Sequence, residues 1–410
     1  MSTTRRKALI IGGGIAGPAL AMFLKCAGID SVIYEARSSA ADEAGAFLAL
    51  APNGMNVLKT LGIDGRVKAS GFATTGMRFY NSRGKQIGEL DTSSTEQRYG
   101  AGMVVIKRGL LHKVLHEATT EQGIPMEFGK KLADVEVTPD QKVIAHFADG
   151  TPAEGDFLVG SDGLHSRTRQ VILPDAPSPS YTGMVDCGGF ARATAVSPSG
   201  WQHMTFGKKA FFGYFVTPPG EVYWFSNVAW PYEPARDELN AISKDVWHQR
   251  LIALHGGDPA PIPDLVRATD GGVGKWPVYD LPPLPRWHSG PVCLVGDAAH
   301  ATSPHIGQGA SLALEDAAVL ARCLRDIPEL EQAFSTYQDR RQERVEALVK
   351  EARRMGDRKI PNPIMGWFQD LMLPFFLKRG ADSLDWVYSY IVEWKREEVN
   401  DEYHRNPQIA

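Results

Sequence analysis

Cysteine is scarce in this chain: four among 410 residues, at positions 26, 187, 293 and 323. None forms a CxxC pair or a zinc-type spacing, so a disulfide framework, a redox dithiol and a structural zinc site are all set aside. The thiols read as reduced, as in a cytoplasmic protein. No His/Cys/Asp/Glu grouping has metal-ligand spacing, so no metal is expected. Long apolar runs are also missing. Met1–Lys7 leads straight into a short apolar strand, and no window approaches 18 uninterrupted apolar residues. Neither a signal peptide nor stable membrane insertion is therefore expected. Nor is there an excess of positive charge: 44 Lys+Arg stand against 48 Asp+Glu, a net −4. That balance carries no nucleic-acid footprint, and any anionic ligand must be held by local geometry. Repeats and low-complexity segments are absent. What remains is ordinary globular composition, 43% hydrophobic and 22% charged, over a length that suits two or three domains.

The first unit is legible. Ala8–Ile11 reads as a buried strand, Gly12-Gly13-Gly14-Ile15-Ala16-Gly17 as a turn, and Leu20, Phe23 and Leu24 as one face of a helix ending at Gly28. Ser31–Tyr34 is a second strand, and it ends at Glu35. This is a βαβ unit whose glycines have separate tasks. Gly12 permits the turn, Gly14 lets backbone reach a pyrophosphate, and Gly17 lets helix and strand pack closely. The helix start at Ile15 and Ala16 offers unpaired N–H groups to an anion. Glu35 is placed to accept the ribose hydroxyls of an adenosine, and its charge disfavours a 2′-phosphate there. The same spacing also suits a plain tight turn.

Further on, Pro52–Leu61 and Leu110–Glu121 read as helices, and Met77–Tyr80 with Gln86–Leu90 as a β-hairpin. Lys142–Phe147 and Asp156–Val159 read as strands. From about 176 to 284 the chain is rich in Pro, Gly and aromatics, which suggests an antiparallel sheet with a helix near Asp245–His255. Pro291–Val295 is a buried strand before Gly296-Asp297, and Ala310–Leu324 a long helix. Gly271–Gly274 leads into Lys275-Trp276-Pro277, so no second dinucleotide fingerprint follows it.

Two downstream motifs, DFLVGSDGLHSRTR at 156–169 and GDAAHATSPHIGQGASLALED at 296–316, join the glycine turn in order. Together with Arg108–Leu111 and the 45–62 segment they resemble the FAD-dependent aromatic hydroxylases, the single-component, para-hydroxybenzoate-hydroxylase-like monooxygenases. The resemblance covers about residues 7–345. It implies an α/β fold: a glutathione-reductase-type, Rossmann-like FAD domain, an inserted antiparallel-sheet substrate domain and a C-terminal helical tail. The expected divisions are 1–75, 100–175 and 285–340 for FAD, 76–99 and 176–284 for substrate, and 341–410 for the tail.

The resemblance also implies the site. FAD is expected against Gly12, Gly14, Ile15, Ala16, Gly17, Glu35, Ala36, Arg37, Leu48, Arg108, Asp162, Gly163, Asp297, Pro304, Gly307, Gln308, Gly309 and Ala310. Asp297 is to accept from the ribityl chain, and the helix starting near Gly309-Ala310 is to face the flavin N1–C2=O edge. Asp162, Gly163, Ser166 and Arg169 match a segment linked to the FAD phosphates and reduced nicotinamide; the bland alternative is a helix cap at Asp162 or Ser166. Arg108 and Arg169 are expected to attract the anionic dinucleotides. Ser311 departs from the family's frequent Asn. The implied reaction uses NADPH or NADH and O₂, with a flavin C4a-hydroperoxide, to oxygenate an aromatic or polycyclic, polyketide-like molecule. No catalytic side chain is expected, the chemistry being the flavin's. Baeyer–Villiger oxidation, epoxidation, an FAD-dependent reductase and a non-catalytic FAD-binding protein remain open, and the halogenase Trp-x-Trp-x-Ile-Pro segment is absent.

His203, Phe212, Tyr214, Trp224 and Pro304 are candidate substrate contacts, although each sheet aromatic also suits plain core. His300 and His305 read as structural. Arg340, Arg341 and Arg344 read as a solvated basic face. The apolar stripe Trp367, Phe368, Leu371, Phe375 and Phe376 reads as a helix packing over both domains, with contact to a membrane or a partner as the alternative. A monomer or homodimer is expected.

Overall fold

In the computed structural model, residues 5–39, 47–192, 196–235, 237–357, 359 and 384–394 are described. Three apolar strands lie side by side because their β-branched runs are buried on both faces, as parallel strands are. Lys7–Ile11 pairs in parallel with Asp30–Glu35 on one side and Phe157–Gly160 on the other. Val292–Leu294 extends the sheet beyond Phe157–Gly160, Met126–Phe128 extends it beyond Asp30–Glu35, and the antiparallel pair with His288–Ser289 closes it at six strands. Helices Ala16–Cys26 and Gly309–Asp326 cover one face with Leu20, Phe23, Leu312 and Leu320. A three-stranded antiparallel sheet of Leu132–Val137, Val143–Phe147 and Pro152–Gly155 covers the other through Phe147, Leu9 and Ile11.

The aromatic-rich segment forms a second, seven-stranded sheet. Its order is Thr269–Asp280, Ser180–Arg192, Glu221–Ala229, Phe211–Val216, Trp201–Phe206, Gly76–Tyr80 and Gln86–Asp91. The sequence anticipates an antiparallel sheet, and one pair departs from that: Trp201–Phe206 runs parallel to Gly76–Tyr80. The 76–91 hairpin enters from an earlier part of the chain, so it meets its neighbour in the orientation its own connections allow. Helices Lys244–His255 and Ile262–Arg267 cover one face of this sheet. The other face meets Phe47, Phe72 and Val105, on a small sheet of Phe47–Leu50, Val104–Lys107 and Phe72–Ala73.

The helix Leu330–Asp357 runs unbroken through position 341. Arg341 is fully buried, which corrects the reading of its cluster as a solvated face. Its guanidinium lies 2.6 Å from Glu315 Oε2 and 2.7 Å from Asp316 Oδ1, and Arg344 binds Glu315 at 2.9 Å. A helix with polar residues all along it conceals such a buried stripe, because charges meet charges rather than apolar surface. Arg340 alone of the three is exposed. The tail segment 384–394 packs beside this network: Arg344 donates to the carbonyls of Trp386 and Val387, and Trp394 lies 4.8 Å from the Phe23 ring. The 367–376 stripe lies outside the described residues.

Removing Arg341 leaves two buried carboxylates without their shared cation. Arg341→Ala is expected to cost about 3–5 kcal/mol in urea unfolding, the range for breaking a buried pair. A loss below about 1 kcal/mol would show the network to be dispensable.

Candidate active site

The glycine turn is organised by what stands behind each position. Gly12 has φ +112°, and a side chain there would strike the Ser161 carbonyl. A side chain at Gly17 would strike the Gly12 carbonyl, so strand and helix approach only because both are glycine. Around Gly14, by contrast, a Cβ meets nothing within 4 Å: the backbone there faces open space. That is the cradle a pyrophosphate needs above the helix start at Ile15 and Ala16.

Three distant segments converge on this turn. Ser161 donates to the Ile11 and Gly12 carbonyls at 2.9 and 3.0 Å. His116, on helix Arg108–Glu121, donates to the Gly13 carbonyl at 2.6 Å. A Cβ on Gly296 would lie 3.2 Å from Ala313 and 3.5 Å from Ala16, so the 296–297 turn wedges between both long helices. Asp297 itself is exposed, its carboxyl raised above the usual range by burial of its surroundings, with His300 and Arg108 opposing. An acid accessible to solvent yet deep among protein atoms is one that lines a cleft. Arg108 is exposed at the first turn of its helix.

Glu35 is buried, and its carboxylate already holds the loop. Oε2 accepts from Gly13 N–H at 2.7 Å, and Oε1 from the N–H and Nε of Arg37 at 2.9 and 3.0 Å. Burial alone would raise its pKa, but these donors leave it lowered, so it stays an anion beside the turn. A carboxylate offers about four lone-pair sites, which leaves one more. Ala36 and Arg37 are exposed past the strand end. Leu48 lies on the strand that pairs with Val104–Lys107, opposite Ile106.

On the flavin-loop side, Pro304–Ile306 is a single 3₁₀ turn, Gly307 has φ +62°, and the 18-residue helix starts at Gly309 with Ala310 next. Pro304 and Gly307 are exposed, whereas Gln308 is buried and accepts from Asn53 at 3.0 Å. Asn53 also donates to Glu315 at 2.6 Å. Ser311 is buried in the crossing with helix Pro52–Thr60. Its Oγ accepts from Ala51 N–H at 3.3 Å, and Gly54 leaves room for it. At this position the small residue serves helix packing. His300 is structural: it donates to Asp316 at 2.5 Å. Burial alone would raise Asp316, but His300 and Arg341 hold it well below the carboxylate range.

The 156–169 motif divides. Asp162 caps the helix Arg167–Ile172, accepting from Ser166 at 2.5 Å and from Thr168 N–H and Oγ1 at 3.0 Å, with Ser166 as N-cap. Gly163 follows at φ +78°, next to the Gly12–Ser161 contact. Arg169 is a correction. It is buried and binds the carbonyls of Ala298 and Leu164 at 2.9 and 2.6 Å, so it ties two loops together instead of meeting phosphates.

Four of the five substrate candidates lie on one face of the seven-stranded sheet. His203, Phe212, Tyr214 and Trp224 share the sheet face under the helices. His203 stacks on Tyr214 at 4.6 Å, Phe212 on Trp224 at 5.3 Å, and Trp224 donates to Thr269 at 2.9 Å. The opposite face carries Phe211, Phe215, Tyr223 and Phe225, and it looks toward Phe47 and Phe72. The strand Phe211–Val216 is apolar on both faces, so its sequence shows no alternation to reveal the parity. His305, on the flavin loop, approaches this face beside Met184 and Gly356. Pro304, the remaining candidate, opens that loop.

The comparisons agree with this geometry. A family model described as an FAD binding domain matches residues 5–352. The chain belongs to the FAD-dependent aromatic hydroxylase family. It is 35% identical over 349 residues to the aurachin C monooxygenase/isomerase of Stigmatella aurantiaca, covering 85% of this chain and 88% of that one. To the FAD-dependent urate hydroxylase of Klebsiella pneumoniae it is 30% identical over 371 residues, covering 89% and 94%. The crystal structure of Klebsiella pneumoniae HpxO with FAD and uric acid superposes with TM-score 0.82 at 27% identity, over 94% and 97% of the two chains. FAD is thus the cofactor of this fold, and the open cradle at Gly14 and the cleft-lining Asp297 fit it. Among the described residues no helix is long and apolar enough to cross a membrane, and no group suits a metal.

Gly14→Ala and Gly12→Ala should separate cofactor binding from folding. The first is expected to keep the thermal stability of the apoprotein while weakening FAD by about tenfold or more. The second should lower both. Equal FAD affinity in Gly14→Ala, by fluorescence titration, would remove the cradle from the site. Asp297→Ala is likewise expected to weaken FAD retention by about tenfold; unchanged flavin content after gel filtration counts against its role.

Proposed function

We propose that this protein is an NAD(P)H-dependent flavin monooxygenase that inserts one oxygen atom into an aromatic or polycyclic small molecule. The observation that carries the reading is the aromatic face of the seven-stranded sheet, which meets Phe47 and Phe72 and which His305 of the Pro304–Gly309 loop approaches beside Met184. Monooxygenase relatives named for aurachin C and urate support the oxygen-transfer class. In this reading the residues 1–75, 100–175 and 285–340 hold FAD, and 76–99 with 176–284 cover the substrate. The protein works in the cytoplasm as a monomer or homodimer.

FAD reduced by NADPH or NADH supplies the oxygen-activating chemistry. The chain's own residues do the rest. The amides at Gly14, Ile15 and Ala16 hold the pyrophosphate, Glu35 the ribose and Asp297 the ribityl chain. Arg108, exposed near Asp297, supplies positive charge to a chain that is negative overall. The N–H groups of Gly309 and Ala310, at a helix start, stabilise negative charge on the pyrimidine edge of the flavin. Phe47, Phe211, Phe215, Tyr223 and Phe225 exclude water and lay the substrate ring flat. No side chain of the fold needs to be a nucleophile.

FAD-loaded protein is to be mixed with NADPH or NADH and a panel of phenolic, heteroaromatic and polycyclic compounds. The expected result is substrate-stimulated oxygen uptake and a product heavier by one oxygen. Reductant consumption without oxygen uptake for every compound would replace this reading with that of a reductase.

A further inference from the structure

The two peptide units inside the glycine turn are held unequally. The Gly12–Gly13 peptide is fixed from both ends: its carbonyl accepts from Ser161 Oγ at 3.0 Å, and its N–H donates to Glu35 Oε2 at 2.7 Å. The Gly13–Gly14 peptide has a protein partner at one end only. Its carbonyl accepts from His116 Nε2 at 2.6 Å, whereas the Gly14 N–H has no hydrogen-bond partner among the described residues. Both residues flanking this peptide are glycine, so no side chain opposes its rotation. Around Gly14 there is open space as well.

A trans peptide carries its C=O and its N–H on opposite sides. With the carbonyl drawn toward helix Arg108–Glu121 by His116, the Gly14 N–H is turned away from that helix. A flip of this peptide would put the carbonyl oxygen where the N–H had been, and an oxygen repels a phosphate that an amide binds. The surroundings of His116 keep its ring on the carbonyl. His112 stacks on it at 6.2 Å and Phe128 meets it at a steep angle at 6.1 Å. Neither neighbour offers a competing hydrogen bond, and His116 Nδ1 is itself buried without a partner.

We propose that His116 is a positioning residue for FAD: by clamping the Gly13 carbonyl it holds the Gly13–Gly14 peptide in the orientation that presents Gly14 N–H to the pyrophosphate. It acts through that carbonyl, not through the reacting atoms. Glu35 and Ser161 perform the same service for the preceding peptide, so the turn is preset unit by unit before the anion arrives. Such preorganisation spares the ligand the cost of ordering a glycine loop. The inference requires FAD as the cofactor and does not rest on the oxygen-transfer reading.

FAD affinity is to be read from the recovery of flavin fluorescence when FAD-loaded protein is diluted. His116→Leu fills the position without a donor, and His116→Gln returns an N–H close to the place of Nε2. The leucine variant is expected to bind FAD about tenfold more weakly, and the glutamine variant within about twofold of wild type. The thermal stability of the FAD-free chain should be the same in all three. In phosphorus NMR of the loaded proteins, the pyrophosphate resonances should move in the leucine variant and stay in place in the glutamine variant. Added imidazole should restore FAD affinity to His116→Ala. Full affinity in His116→Leu, a glutamine variant as weak as leucine, or a loss of stability that parallels the loss of FAD overturns the clamp. If the leucine variant fails to fold, His116→Ala decides: no recovery with imidazole overturns the clamp as well.

Discussion

The structure depends on two adjacent carboxylates that have no access to water. Glu315 and Asp316 sit in the middle of the long helix Gly309–Asp326, both fully buried. Burial of one unpaired carboxylate is costly, and two neighbours would repel as well. Each is therefore surrounded by donors brought from elsewhere. Asp316 takes Arg341, His300 and the N–H of Gly296, while Glu315 takes Arg341, Arg344 and Asn53. These donors belong to the segment after the last parallel strand, the helix Leu330–Asp357 and the helix Pro52–Thr60. The consequence is positional. The turn bearing Asp297, the loop bearing Gln308 and the start of the long helix are held in one mutual arrangement by charge, where apolar packing alone would let them slide.

Next to this rigid charged centre the reaction side of the molecule is built from surfaces with little charge. The backbone at Gly14 is open, the helix starts supply partial positive charge, and the sheet face proposed to meet the substrate is phenylalanine and tyrosine. Such a site holds an anionic cofactor without a cluster of lysines, which reconciles a dinucleotide ligand with a negative chain.

Sequence reading succeeded where backbone demands leave a residue-level trace. Gly12 and Gly17 were readable because a positive φ and a close helix crossing each admit only glycine, whereas at Gly14 the fold itself leaves room for a side chain and only an approaching ligand would ask for glycine. The place of Asp297, just after a short buried strand, was also readable. Three things left no trace. Arg341 looks like surface because its partners lie 25 and 26 residues away along the chain, hidden on the facing helix. Phe212 and Trp224, expected to line the substrate, pack under the helices instead, and a strand covered on both sides has no polar face from which to count that parity. Arg169 shows the limit of resemblance: the motif residue is present, yet its guanidinium serves the carbonyls of Leu164 and Ala298.

The hairpin of residues 76–91, inserted in parallel beside Trp201–Phe206, has a mechanical consequence. To reach it and return, and later to build the rest of the seven-stranded sheet and return, the polypeptide crosses between the two lobes four times. A body tethered by one linker swings freely, and one tethered by two turns about a hinge axis. With four tethers spread along the seam, swinging is blocked, and the motion left to the lobes is a small sliding of one packed surface over another.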